Sequence, residues 1–127
     1  MKFKINHKLS EDKGIVYVLQ LNLEDKQLIK IGITTRKIEE RVVEILTAIW
    51  KKHRVFPECH VARYCTIDSY LAMEKYLHEH YKEFKYDCEH KWSGNTEIFL
   101  LDIEEVKNKY DEIKNDFCNK NKCITKR

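Results

Sequence analysis

GIVYVLQL (Gly14 to Leu21) and LIKIGIT (Leu28 to Thr34), six residues apart and followed at once by RKIEERVVEIL (Arg36 to Leu46), decide the fold of this chain. Both runs are rich in β-branched residues, as strands require. Ile15, Tyr17, Leu19 and Leu21 alternate with Val16, Val18 and Gln20; Ile29, Ile31 and Ile33 alternate with Leu28, Lys30 and Gly32. The polar connection from Asn22 to Gln27 turns the chain, so the two runs form an antiparallel hairpin. Closure near Leu21 and Leu28 sets Tyr17 opposite Gly32 and Lys30 opposite Leu19, all on one side of the sheet.

Outward from the hairpin, a helix from about Lys37 to His53 aligns Ile38, Val42, Ile45, Leu46 and Ile49, with Arg41 set into that apolar stripe. Its basic end, Lys51 to Arg54, suits the negative helix terminus. A third strand is expected over His60 to Ile67. A second helix, capped by Asp68 or Ser69, runs from Tyr70 to about Phe84 with Tyr70, Met73, Leu77, Tyr81 and Phe84 inward. Asp87 to Thr96 reads as a loop, and Glu97 to Leu101 as a last short strand. Asp102 then caps a third helix whose stripe is Ile103, Val106, Tyr110, Ile113 and Phe117. The expected organisation is an extension over 1–13, one domain over 14–118 and a basic, frayed tail over 119–127. The fold class is α/β in the mixed (α+β) sense.

A chain of 127 residues is long enough to bury one core without staples. The net charge of +3 is too mild to attract nucleic acid by overall field, so any such contact comes from local clusters. Neither a signal peptide nor a membrane span is read from the sequence. An intracellular location is expected, cytoplasmic, or nuclear if the host is eukaryotic. In such a compartment the 5 cysteines are free thiols. Cys88, His90, Cys118 and Cys123 lack the close CxxC spacing of a zinc knuckle, and zinc is not expected.

Four polar positions carry chemistry. Tyr17 and Lys30 are diagonal neighbours, roughly 7 to 8 Å apart between backbones, within reach of a long ammonium that lowers a phenol's pKa. Gly32 opposite Tyr17 leaves volume where a substrate backbone can lie. Tyrosine in a strand is also ordinary packing. Arg41 on a buried stripe requires an anion, and Glu74 on the apolar side of the second helix requires a cation or a metal. Either they pair with each other or both line a phosphate and metal site; His78, one turn after Glu74, can join. The second combination suits phosphodiester hydrolysis, which needs a base for water, cationic stabilisation and a carboxylate for one hard divalent ion. No glycine-rich phosphate loop is present.

In order and spacing these residues resemble the GIY-YIG nuclease family. Gly14-Ile15-Val16-Tyr17 is similar to the first motif with one residue inserted, and Lys30-Ile31-Gly32 to the second with lysine replacing tyrosine. Thr35 to Arg41, Glu74 to Tyr81 and Gly94 to Phe99 look like later segments of its short phage and large-DNA-virus branch. The resemblance implies a small sandwich with a central three-stranded antiparallel sheet flanked by helices. It implies metal-dependent DNA cleavage in which Tyr17, assisted by Lys30, activates water, Arg41 stabilises the phosphate and Glu74 ligates a single Mg²⁺ or Mn²⁺. Asn95 matches a late asparagine that orders the site. Gly32, Arg36, Lys51 and Lys52 are the expected substrate contacts.

The sequence supplies no DNA-reading module, so a homodimer or a specificity-supplying partner protein is expected. The alternatives are a DNA-binding module without cleavage, and a protein-interaction domain that presents the third-helix stripe to a partner. The nuclease reading requires Tyr17, Lys30, Arg41 and Glu74 to converge on one exposed concavity.

Overall fold

The computed structural model describes residues 13–23, 25–86 and 98–126, with side chains of the last helix through Cys118. Strands β1 (Gly14–Leu23) and β2 (Lys26–Thr34) are followed by α1 (Ile38–His53), β3 (Glu58–Ile67), α2 (Tyr70–His80), a 3₁₀ turn (Lys82–Phe84), β4 (Ile98–Phe99) and α3 (Ile103–Lys126). The hairpin has the expected register: Tyr17 opposes Gly32 and Leu19 opposes Lys30. β3 pairs antiparallel with β1 on the other side, with a register shift between Val18 and Leu19.

Among the described residues the sheet has four strands, in the order β3-β1-β2-β4, not three. Ile98 and Phe99 add the fourth by pairing with Lys30 and Ile29. The outer side of β4 is met by the stretch after α2, where Leu100 N–H donates to the Phe84 carbonyl at 3.0 Å and Tyr86 N–H to that of Ile98 at 2.9 Å. That pairing explains why α2 stops at His80 rather than near Phe84. The chain must unwind through the 3₁₀ turn to lie beside β4, and Phe84 ends up exposed instead of inward.

Alternation along the strands divides the core into two layers. Val16, Val18, Ile29, Ile31 and Phe99 face Met73 and Leu77 of α2 and Val106, Tyr110 and Ile113 of α3. Tyr17, Leu19, Leu21, Leu28 and Ile98 face Ile38, Ile45 and Ile49 of α1. The α3 stripe therefore packs on its own sheet, which removes the partner-facing reading of that helix. Asp102 caps α3 as expected, its Oδ2 accepting from Glu105 N–H at 3.1 Å. The backbone of α3 is helical as far as Lys126, past Cys118, where fraying was expected. Gly14 is required by close approach, because a Cβ there would stand 2.5 Å from the Tyr70 ring. No helix among the described residues is long and apolar enough to cross a membrane.

Candidate active site

The four expected residues do not meet on one exposed concavity: two groups come together, on different sides of the sheet, and Tyr17 and Lys30 are enclosed. On the α1 side, Arg41 Nε donates to Tyr17 Oη at 3.2 Å across 24 residues of chain. The hairpin turns Tyr17 toward α1, and Arg41 stands one turn after Ile38 on the stripe that covers it. Lys30 and Gly32 lie on the same face. Arg41 Nη1 donates to Glu44 Oε1 at 3.0 Å, and Arg36 Nη2 meets Glu44 Oε2 at 2.5 Å. Glu44 thus bridges two guanidiniums, one of which also holds the phenol.

The charges answer to this arrangement. Burial works against the Arg41 cation, but its bonds to Tyr17 and Glu44 outweigh burial and raise its pKa. The Arg36 bond, then the Arg41 bond, hold the Glu44 carboxyl below its ordinary range. Glu44 is not among the residues the sequence singles out. Its signal is the three-residue step from Arg41, which places the two on one helix face.

Enclosure departs most from expectation. Tyr17 and Lys30 are both 0% exposed, and Gly32 is buried, so the volume above the phenol ring is not open to solvent. Arg41, with 27% of its side chain exposed, and the outer pair Arg36 and Glu44, at 53% and 40%, are the part of this group that solvent reaches. Beside them, a shallow depression of about 450 Å³ lined by Gly14, Ile15, Thr34, Thr35, Arg36 and Lys37 opens at the end of the hairpin.

Glu74 and His78 form the second group, on α2. Their side chains approach to 3.8 Å, and His78 Nε2 lies 2.8 Å from the Ile31 carbonyl. A carbonyl only accepts, so Nε2 carries the proton and is not available to a metal. Ile31 sits between Lys30 and Gly32, just past the described end of β4 opposite Lys30. His78 therefore fastens α2 to the β2 edge, where the two faces of the sheet meet. The bonds of Arg41 go to Tyr17 and Glu44, so the sequence alternative of an Arg41–Glu74 pair is replaced.

A half-buried single carboxylate fits a hard divalent ion that keeps several waters, as Mg²⁺ does. Among the described residues no group of three His, Cys, Asp or Glu is placed to hold a metal. Cys59, Cys65 and Cys118 are free thiols; Cys88, His90, Asn95 and the side chain of Cys123 lie outside the described residues. Lys51 and Lys52 are exposed at the far end of α1, and His53 is half-buried.

Comparison with curated proteins and with solved structures gives no significant match. A family model, that of the T5orf172 domain, matches residues 14–114. The matched stretch takes in the hairpin, α1 with its arginine, α2 with its glutamate and the first half of α3. The chain belongs to the T5orf172 domain family, a domain of the phage nuclease-associated type.

Proposed function

We propose that this domain is a metal-dependent DNA endonuclease of GIY-YIG-like design. The observation that carries the reading is the Arg41–Tyr17 hydrogen bond, which joins a strand phenol to a helix guanidinium at the spot where a phosphate needs both. In this reading a DNA phosphate takes the place of the Glu44 carboxylate between Arg41 and Arg36, exchanging one bidentate anion for another. Because Tyr17 is enclosed, this reading also requires the α1 face to open before water reaches the phenol. Tyr17 then accepts the proton of the attacking water, Lys30 favours the phenolate by its charge, and Arg41 donates to the oxygens on which charge develops. Glu74, from the β2 edge where the two faces of the sheet meet, would hold a single Mg²⁺ or Mn²⁺, and the ion when bound would supply Lewis-acid polarisation. His78 orients Glu74 from its anchor on the Ile31 carbonyl. A second copy, or a partner protein, supplies sequence specificity.

The enclosure of Tyr17 and Lys30 favours a second reading, in which the fold binds DNA without cutting it. Supercoiled plasmid with Mg²⁺ or Mn²⁺ separates the two. The nuclease reading expects nicking that falls about 100- to 1,000-fold in Arg41→Ala protein, the scale of losing one transition-state donor, and is abolished in Glu74→Ala. Nicking that survives both substitutions removes these residues from the mechanism. Salt-sensitive binding with no cleavage under either metal establishes the binding module instead.

A further inference from the structure

At the end of α1 farthest from Arg41, three side chains form a stack that the candidate active site does not use. Trp50 and Phe56 lie ring on ring, with centroids 4.9 Å apart and planes 1° from parallel. The Arg54 guanidinium carbon stands 5.7 Å from the Trp50 ring centre. Arg54 is one of the described non-glycine residues in the left-handed region, at φ 62°, and its N–H closes on the Trp50 carbonyl at 2.7 Å. This strained cap reverses the chain and returns Phe56 onto Trp50. Despite the stacking, Phe56 remains 64% exposed and Trp50 37%. Flat aromatic area is thus left to water against the Arg54 cation, at the basic last turn of α1 that also carries Lys51 and Lys52.

Next to the stack is an open depression of about 540 Å³, within the range of small-ligand sites, walled by Val55, Phe56, Pro57 and Leu23. Its polar rim includes Gln27 and Lys26 beside Asp25 and Glu58. The two carboxylates repel phosphate, whereas the basic last turn of α1 attracts it. A nucleotide strand that satisfies both keeps its backbone on the Lys51, Lys52 and Arg54 side and passes only a base toward Phe56. Every base has a π face, and stacking on an aromatic side chain tolerates any sequence.

We infer that Trp50, Phe56 and Arg54 form a stacking platform for an unpaired nucleobase, with Lys51 and Lys52 holding the flanking phosphates. The inference rests on the nucleic-acid reading of the domain and adds to it a preference for single-stranded or flared DNA. Arg41 and Trp50 are nine residues apart on one helix, about 13 Å along its axis and half a turn around it, so the platform is a contact separate from the candidate active site.

Trp50 is its own reporter once the other tryptophan is removed by Trp92→Phe. The full chain in that background is titrated with a short oligothymidylate and with a blunt duplex of equal length, following tryptophan emission and, independently, anisotropy of labelled DNA. The platform predicts quenching of Trp50 by the single strand, and a single-strand over duplex preference that drops roughly tenfold in Phe56→Leu, the scale of losing one base stack. Phe84→Leu, a control at an exposed phenylalanine elsewhere, leaves the preference unchanged. Duplex and single strand bound alike with unmoved Trp50 emission overturns the platform while leaving the DNA reading standing. No binding of either DNA removes both. Concentration-dependent self-association that Phe56→Leu abolishes, without any response to DNA, assigns the patch to a second copy and overturns the inference.

Discussion

The two faces of one sheet are built to different rules. Toward α2 and α3 the sheet presents Val16, Val18, Ile29 and Ile31, and of the buried phenols there the one against the sheet is already satisfied: Tyr110 Oη donates to the Val16 carbonyl at 2.6 Å. Its pKa is pushed well above the ordinary range, by burial first and then by Cys65, so it stays neutral and structural. Toward α1 the same strands bury Tyr17 and Lys30, and the phenol meets a guanidinium that is partly open to water. Burying an ammonium and a phenol on one face is costly for packing alone. The difference sets the phenol–guanidinium pair on the α1 layer, while the other layer is apolar at its centre and carries Glu74 and His78 only at its β2 edge.

Deleting a core side chain from the α3 side of that layer tests this division most severely. Ile113 is buried against the sheet, and Ile113→Ala is expected to cost about 2 to 5 kcal/mol by the usual transfer and cavity terms. Urea denaturation measures it. At a temperature where the variant is still folded, plasmid nicking per folded molecule is expected to stay near that of the parent protein. Nicking that falls with Ile113→Ala in fully folded protein would show that the centre of this layer is not separate in function from the α1 face.

How much of this is legible in the sequence varies with the range of the interaction. The hairpin register follows from alternation and one short connection, so local pattern alone puts Tyr17 opposite Gly32. The Asp102 cap is equally local. The described part of β4 is two residues, and its place comes from β2 and from the stretch around Lys85, partners that no local pattern announces. Enclosure of Tyr17 and Lys30 is out of reach for the same reason, since burial is decided by what the rest of the chain lays over a strand. Glu39, Glu40 and Glu44 all lie on α1, and only the fold shows that Glu44 is the one shared by Arg36 and Arg41. The Arg54 reversal carries no glycine to mark it.

One substitution made on both faces sharpens the contrast. Tyr110→Phe removes a buried hydroxyl that donates to the Val16 carbonyl, and is expected to cost about 0.5 to 1.5 kcal/mol with nicking unchanged. Tyr17→Phe deprives Arg41 of one acceptor, but the guanidinium keeps Glu44 and has water within reach, so a stability loss under about 1 kcal/mol is expected. Nicking, however, should vanish. Paired melts and plasmid assays read both quantities, and a Tyr17→Phe protein that cuts normally would return Tyr17 to the core as packing.

The smallest effect concerns the carboxylate at the solvent edge of the α1 face. If Glu44 holds the place of a phosphate, Glu44→Gln removes a competing anion and frees two arginines, so DNA should bind a few-fold more tightly. A merely structural ion pair predicts the reverse, because Arg36 and Arg41 would lose the group that orients them. The sign with pH follows from the depressed Glu44 pKa. The competing charge is complete above the ordinary glutamate value of about 4.3 and is lost only as pH falls through the lower, folded value. The gain from Glu44→Gln should therefore be constant from about pH 5 to about pH 8, and binding of the parent protein should approach that of the variant only in stronger acid. Anisotropy titrations across that range measure it. A gain that fades near neutral pH would point to a titrating group other than Glu44 and would take the carboxylate out of the phosphate position.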